Sequence, residues 1–376
     1  MKLVAAMKVR DEADVIDANL RYHVAQGVEQ FIVTDNGSTD GTLEILTRYR
    51  DAGLLHLIEE PGADFRSEAH GWVTSMARLA ATDLDADWVV HVDADEFWWP
   101  VGGSLREVLA DVPDRFGVVL APRPEYPARP DGTTSWLERL DVREVHSRLR
   151  PKIAHRAHPR ATLHRGAHDV DIEGAEAARH AGRAVMRPVK EQRFEQGTEL
   201  VWAPVFPARV LHFPIRSVEQ YRRRVESTIY HGGFSDKAHD ELRERYESEG
   251  AETLYEELVL EDDLVQERIA AGELVVDTRL RDFLAACPDP VESPSTEPAR
   301  ATEATTELDQ EAVLTERRAI ELDAMATLAR TQRALIRQLD SHRERLDRQR
   351  RKLRNAQRNQ GGALRRMASR VRRESR

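Results

Sequence analysis

Four short β-rich runs, residues 2–9 (KLVAAMKV), 30–34 (QFIVT), 54–58 (LLHLI) and 87–92 (DWVVHV), alternate with helix-like stretches over the first hundred residues. The stretches are 12–26, 41–52 and 66–82, and the first sets Val15, Ile16, Leu20 and Val24 at three-to-four spacing, the mark of a helix with one buried face. Strand and helix in alternation predict a layered α/β domain with a largely parallel sheet. In such sheets ligands bind beyond the carboxyl ends of the strands. The residues at those ends are polar: Asp11 and Glu12 after the first run, Asp35 and Asn36 after the second, Asp93 to Glu96 after the fourth. Three acidic clusters are therefore expected on one edge of the sheet.

The chain of 376 residues exceeds a usual single domain, so one large globular unit with an appended segment is expected. A hydrophobic share of 40% supports a core, and a charged share of 32% points to a solvated segment. That segment is the C-terminus. Residues 341–376 hold 14 Arg or Lys against Glu344, Asp347 and Glu374, a net +11, which leaves −21 on the rest of a chain of net charge −10. Cys287 is the one cysteine, which excludes an intrachain disulfide and a cysteine-built zinc site. The opening apolar run meets charge at Lys8, too soon for a signal-peptide core, and no apolar stretch approaches the ~18 residues of a membrane span. The expected location is cytoplasmic, with any membrane contact peripheral, at the inner face.

HVDADEF at 91–97 carries the chemistry most open to reading. A diphosphate leaving group gains negative charge as its bond breaks, and a divalent cation held by carboxylates stabilises that charge. If the strand stays extended through the motif, Asp93 and Asp95 share a face. TDNGSTDGT at 34–42 has a plain structural reading: Asn-Gly and Asp-Gly favour turns, and Asp40 can cap the next helix. It still exposes Asp35 and Asn36 at the ligand edge.

Together, MKVRDEADVIDANLRYHVAQGVEQFIVTDNGSTDGT and DADWVVHVDADEFWWP resemble the family 2 type glycosyltransferases, in particular the subgroup with a DNGSTDGT loop and a DADEF motif. The resemblance covers residues 1–100 clearly and 100–235 loosely. It implies the GT-A fold (a Rossmann-like mixed sheet flanked by helices), a nucleotide-diphosphate sugar donor, Mn²⁺ or Mg²⁺, and inversion at the anomeric carbon. Carried onto this chain, it puts Glu12, Asp35 and Asn36 near the base and ribose, and Asp93 and Asp95 near ribose and metal. His212, in RVLHFPIRS, corresponds to a late histidine that completes the metal shell, against the plain reading of an ordinary hydrogen-bonded residue. Arg66 corresponds to a basic residue that reaches donor phosphates. Where many relatives read DDGS this chain reads Asp35-Asn36-Gly37-Ser38, so an amide that can both accept and donate replaces a carboxylate, and the base is left open.

An inverting transfer needs a base for the acceptor hydroxyl. The resemblance implies an Asp in a later ED-type motif, which is not present in unambiguous form. Glu125, Asp169 and Asp171 stay open, and His168, among acidic neighbours, is a further candidate for proton transfer or acceptor binding. Trp98, Trp99 and Trp136 can stack on sugars but, next to strands, read equally as core.

Ten prolines between 122 and 214 break the next region into short strands and loops, and 217–286 reads as helical. The expected layout is a GT-A domain at 1–290 (nucleotide-binding half 1–100, acceptor half 101–235, helical end 236–290), a flexible linker at 291–310, a helical segment at 311–360, and a basic tail at 361–376. Met325, Leu339, Leu346 and Leu353 share a heptad register, with Leu328 and Leu335 three positions on, interrupted by Gln332 and His342; this predicts a short coiled coil able to form a homodimer. The basic tail suits anionic headgroups. The resulting expectation is a cytoplasmic, cation-dependent sugar transfer to a glycan or lipid-linked acceptor in surface polysaccharide or glycoconjugate synthesis. The alternatives are a nucleotide-sugar-binding protein without catalysis and a coiled-coil scaffold or nucleic-acid-binding protein; the intact acidic motifs argue against both.

Overall fold

A computed structural model of the chain describes residues 1–62, 65–112, 116–145, 149–164, 167–172, 186–188, 208–231 and 237–293. The coiled coil at 311–360, the basic tail, most of the 291–310 linker and the side chains of Arg66 and Asp169 lie outside what it describes.

The first half alternates as expected: β1 (Leu3–Val9), α1 (Ile16–Ala25), β2 (Gln30–Asp35), α2 (Thr42–Asp51), β3 (Leu55–Glu59), α3 (Phe65–Thr82) and β4 (Trp88–Val92). Then come β5 (Glu96–Pro100), α4 (Leu105–Ala110), β6 (Phe116–Ala121), α5 (Trp136–Arg139), β7 (Val142–Glu144), β8 (Lys152–Arg156), β9 (Thr162–His164), β10 (Asp169–Asp171) and β11 (Met186–Pro188). The chain continues through β12 (Ala208–His212), α6 (Val218–His231), α7 (Lys237–Glu256), α8 (Asp262–Ala270), β13 (Leu274–Val276) and α9 (Arg279–Ala286). The stretch 217–286, read as helical throughout, is thus interrupted by β13, which pairs antiparallel with β7.

The main sheet has the order β11-β6-β8-β4-β1-β2-β3. β4, β1, β2 and β3 run parallel, and β8 lies antiparallel to both β4 and β6, giving a mixed, Rossmann-like sheet flanked by helices, as expected. β1 is buried on both faces, and its period-two alternation divides the core. Leu3, Ala5, Met7 and Val9 pack with Ile16 and Leu20 of α1 and Leu46 and Tyr49 of α2, while Val4 and Ala6 pack with Met76 and Ala80 of α3. Each of the larger aliphatic side chains among them, removed from water, contributes roughly 1.5–3 kcal/mol. The parallel strands therefore end together on one rigid edge.

A two-stranded pairing of β5 with β12 builds the rest of that edge, setting His212 opposite Glu96. Trp98 and Trp99 are buried in the main core, and Trp136 packs against it while its indole N–H donates to the Asp14 carbonyl at 3.0 Å. The packing role accounts for all three.

Candidate active site

The chain does not stay extended through the acidic motif. β4 stops at Val92, residues 93–95 turn, and the Glu96 N–H donates to the Asp93 carbonyl at 3.0 Å. The turn sends the two aspartates to different partners, so the shared face expected from an extended strand does not form. Asn19, buried in α1, holds the turn by donating to the carbonyls of Ala94 at 2.9 Å and Glu96 at 2.8 Å.

Asp93 sits between two ammonium groups, Lys8 Nζ at 3.1 Å and Lys152 Nζ at 2.6 Å. Both follow from topology: Lys8 ends β1 beside β4, and Lys152 opens β8, which runs back along β4. Burial would raise the Asp93 carboxyl, but Lys152 and Lys8 hold it well below the usual carboxylate range. Lys152 also reaches Glu96 at 3.0 Å, and Arg123 reaches the other oxygen of Glu96 at 2.6 Å.

Asp95 faces a second cluster. Its Oδ2 lies 3.6 Å from His212 Nε2, 3.5 Å from an Arg224 nitrogen and 3.9 Å from an Arg216 nitrogen. Against the upward push of burial, His212 first and the two arginines next hold Asp95 well below the carboxylate range. His212 Nδ1 is 3.2 Å from Glu125 Oε1, close enough for an ion pair but angled away from a hydrogen bond. Burial pulls His212 down, yet Asp95 and Glu125 on its two sides raise it to about 9. Glu125 arrives because the segment after β6 runs beside β12, where the Tyr126 N–H donates to the His212 carbonyl at 2.8 Å.

Arg216, fully buried, joins three segments. It donates to Glu12 at 2.6 Å, to Asp14 at 2.7 and 3.0 Å, and to the Phe213 carbonyl at 3.0 Å. Burial pushes Glu12 up to about 7 against the pull of Arg216, with Asp95 and Asp14 adding to the rise.

The loop at 35–42 is tied to the loop after β1. Asp35 accepts the N–H groups of Gly37 and Ser38 at 3.0 and 3.1 Å, so its carboxylate organises its own turn. Asn36 donates to the Glu60 carbonyl at 2.9 Å and accepts from Arg10 at 3.3 Å. Gly37 turns at φ +70°, a conformation that favours glycine. Asp40 accepts from the N–H groups of Thr42 and Ala13, and Asp11 accepts from that of Thr39. The turn reading of this segment applies, and Asp40 accepts the first N–H of α2 from the position before its N-cap, Gly41; the loop still lines the edge.

The candidates on the acceptor side separate. His168 Nδ1 donates to the Pro151 carbonyl at 2.8 Å, which leaves the lone pair on Nε2. Burial, then Lys152, hold this imidazole down at about 4. Asp171 instead meets His164 at 3.0 Å across the β9–β10 hairpin.

A divalent cation fits at Asp95 and His212, an anionic oxygen and an imidazole nitrogen turned toward each other with a carboxylate behind the ring. His212 must lose its proton to ligate. Asp93 meets Lys8 and Lys152 rather than His212 and so does not join them, and among the described residues no three His, Cys, Asp or Glu side chains form a ready cation cage. Two protein ligands suit Mg²⁺ or Mn²⁺, which take much of their shell from phosphate oxygens and water. Sequence reasoning did not single out Lys152, Arg123, Arg216 or Arg224. Arg216 stands in the FPIRS segment already noted, but nothing local marks it as the partner of residues some two hundred positions earlier.

Residues 6–170 match the family model described as Glycosyl transferase family 2. No curated protein matches the chain. Among solved structures, that of S. aureus TarS 1-349 in complex with UDP is 16% identical, covers 87% of this chain and 92% of its own, and has a TM-score of 0.36. The same protein in complex with UDP-GlcNAc is 17% identical, with coverages of 78% and 83% and a TM-score of 0.33. The galactosyltransferase LgtC, in complex with donor and acceptor sugar analogs, is 17% identical, with coverages of 32% and 46% and a TM-score of 0.23. Likenesses this distant carry no argument about substrate.

Proposed function

From the match of residues 6–170 to the Glycosyl transferase family 2 model we propose that the chain transfers a sugar, with inversion, from a nucleotide-diphosphate donor to a glycan or lipid-linked acceptor with the help of Mn²⁺ or Mg²⁺. The observation that carries this is the meeting of Asp95 and His212 at 3.6 Å on the carboxyl edge of the parallel strands. Two segments more than a hundred residues apart bring a carboxylate and an imidazole to the place where such sheets bind ligands.

A cation bound there supplies charge stabilisation to the departing diphosphate. The remaining roles belong to the chain. Asp95 and His212 would hold the cation, and Glu125 places a negative charge behind the imidazole. Arg216 locks Glu12, Asp14 and the 93–95 turn into one frame, so the donor side is organised before the donor arrives. Glu12, Asp35 and Asn36 form the wall assigned to base and ribose, and Asp93, with Lys8 and Lys152, flanks the ribose. Arg66, on α3, is the assigned phosphate contact from the third strand's side. Of the base candidates, His168 accepts the proton of the acceptor hydroxyl at Nε2, because Asp171 is engaged with His164. Asp169 remains a candidate from sequence.

Arg- and Lys-rich residues 341–376 give the proposal its peripheral membrane contact, consistent with a lipid-linked acceptor, and the heptads give it a homodimer. No described helix is long and apolar enough to cross a membrane.

The test is calorimetric titration with UDP-, GDP-, TDP- and CDP-sugars, with Mn²⁺ or with chelator, repeated on Asp95→Ala. Cation-dependent binding of one nucleotide class, lost in the variant, is the expected result. Binding to none of the donors would refute the transfer reading.

A further inference from the structure

Three cationic groups meet one oxygen, Asp95 Oδ2, and they differ in freedom. Arg216 is fully buried and spends its guanidinium on Glu12, Asp14 and the Phe213 carbonyl. His212 is fixed by the β5–β12 pairing and by main-chain hydrogen bonds on both sides. Arg224 is different. It rises from α6, its side chain is 49% exposed, and besides Asp95 it donates to the Pro214 carbonyl at 2.7 Å and acts electrostatically on Glu125. A guanidinium has five N–H donors, so these two contacts leave several directed outward over the site. Its neighbour Arg223 leans toward Asp40 in the glycine-containing loop, 3.9 Å away, so α6 sets one arginine over each donor-side loop.

A divalent cation held between Asp95 and His212 would lie on the side of Oδ2, the oxygen that His212 Nε2 and Arg224 both face, and would place like charge beside the guanidinium. We propose that Arg224 and the cation compete for Asp95 Oδ2, and that the displaced guanidinium moves onto the diphosphate of the donor as a second positive partner for the leaving group. This rests on the functional reading above. The long, half-exposed stem allows the move, and the planar fork matches phosphate oxygens. Arg224 would thereby couple the two arrivals: cation binding releases the guanidinium that grips the donor.

The experiment is calorimetric titration of the full chain, first with Mn²⁺ alone and then with UDP and with GDP at saturating Mn²⁺, for wild type, Arg224→Ala and Arg222→Ala. Arg222 lies on the same helix and pairs with Glu219 and Glu252, so it reports the effect of losing one positive charge away from Asp95. Removing the competitor is expected to tighten Mn²⁺ binding to Arg224→Ala about three- to fivefold, the range of an exposed ion pair. The nucleoside diphosphate that wild type binds is expected to weaken about tenfold in the same variant, as befits a lost charge-assisted contact. Arg222→Ala should match wild type in both. Unchanged or weaker Mn²⁺ binding by Arg224→Ala overturns the competition, unchanged diphosphate binding overturns the transfer of the guanidinium, and equal shifts in Arg222→Ala overturn both. A wild type that binds neither Mn²⁺ nor a nucleoside diphosphate brings down the functional reading along with this inference, an outcome distinct from the others.

Discussion

The side-chain amide of Asn19 donates to the main-chain carbonyl of Ala94 at 2.9 Å, from the middle of a helix to the middle of the acidic turn. The same amide serves Glu96, and His23 one turn on lies 2.9 Å from the Asn19 side-chain oxygen. Asn19 thus fixes where Asp93 and Asp95 point without touching either carboxylate. Asn19→Leu leaves two buried carbonyls unpaired, and a loss of about 2–4 kcal/mol is expected. Urea unfolding measures the loss. Mn²⁺ affinity should fall in the folded variant too, and a variant as stable as wild type would contradict the role.

The two aspartates of the motif should separate cleanly by mutation. Asp95→Asn removes a cation ligand and is expected to abolish Mn²⁺-dependent donor binding. Asp93→Asn instead leaves Lys152, fully buried, facing only Glu96, and should cost about 3–5 kcal/mol of stability while Mn²⁺ binding survives. Calorimetry and denaturation on the same two proteins decide the matter. If Asp93→Asn loses Mn²⁺ while keeping its stability, the assignment of the cation to Asp95 and His212 is wrong.

Two buried histidines should make the fold sensitive to mild acid. His23 Nδ1 donates to the Asn19 carbonyl at 2.9 Å and its Nε2 accepts the Trp98 N–H at 3.2 Å, so the ring is neutral. His155 Nδ1 donates to the Arg156 carbonyl at 2.9 Å, and its Nε2 accepts from His91 at 3.0 Å. Burial lowers both His23 and His155 to about 4. The unfolded chain takes up these protons below about pH 6.5 and the folded chain does not. Their contribution is therefore whole above pH 6.5 and is lost as the pH falls toward 4. From pH 7 to 5 the two together should remove about 3–4 kcal/mol. Ring NMR shifts of the folded protein report each histidine separately, and a His23 or His155 ring that takes up its proton between pH 7 and 5 would refute the neutral assignment.

Much of the fold was legible because the parallel strands are buried on both faces and so read as continuous apolar runs, Leu3 to Val9 most plainly. Asp35 to Thr42 was legible as a turn because glycine and Asx residues have few other uses in that spacing. In the candidate site the sequence singled out the carboxylates and His212, but not the cations that meet them. Lys8, Lys152, Arg216 and Arg224 meet Asp93 and Asp95 through strand order and through a helix far along the chain, and a long basic side chain carries no local sign of the carboxylate it will find. The turn at 93–95 was missed for a related reason: Asn19, which holds it, lies in another element. β13 was missed because three apolar residues between helices, Leu274 to Val276, are too few to set a period.

The last expectation concerns the proton. His168 keeps its Nε2 lone pair available because Nδ1 is committed to the Pro151 carbonyl, and burial with Lys152 nearby keeps the ring neutral down to about pH 4. A base of that kind contributes no titration of its own near pH 6.5, so any step in the transfer rate between pH 5 and 8 belongs to Glu12 and His212 and should persist in His168→Gln. His168→Gln should lower kcat by about 10²- to 10⁴-fold, with the donor Kd little changed because the ring's hydrogen bond goes to the Pro151 carbonyl. Asp171→Asn, whose carboxylate meets His164 across the hairpin, should stay near wild type in kcat. Comparing kcat with donor Kd for the two variants separates proton transfer from folding damage, since a misfolded protein would lose both. A near-normal kcat for His168→Gln combined with a collapse for Asp171→Asn would move the base to the hairpin carboxylate.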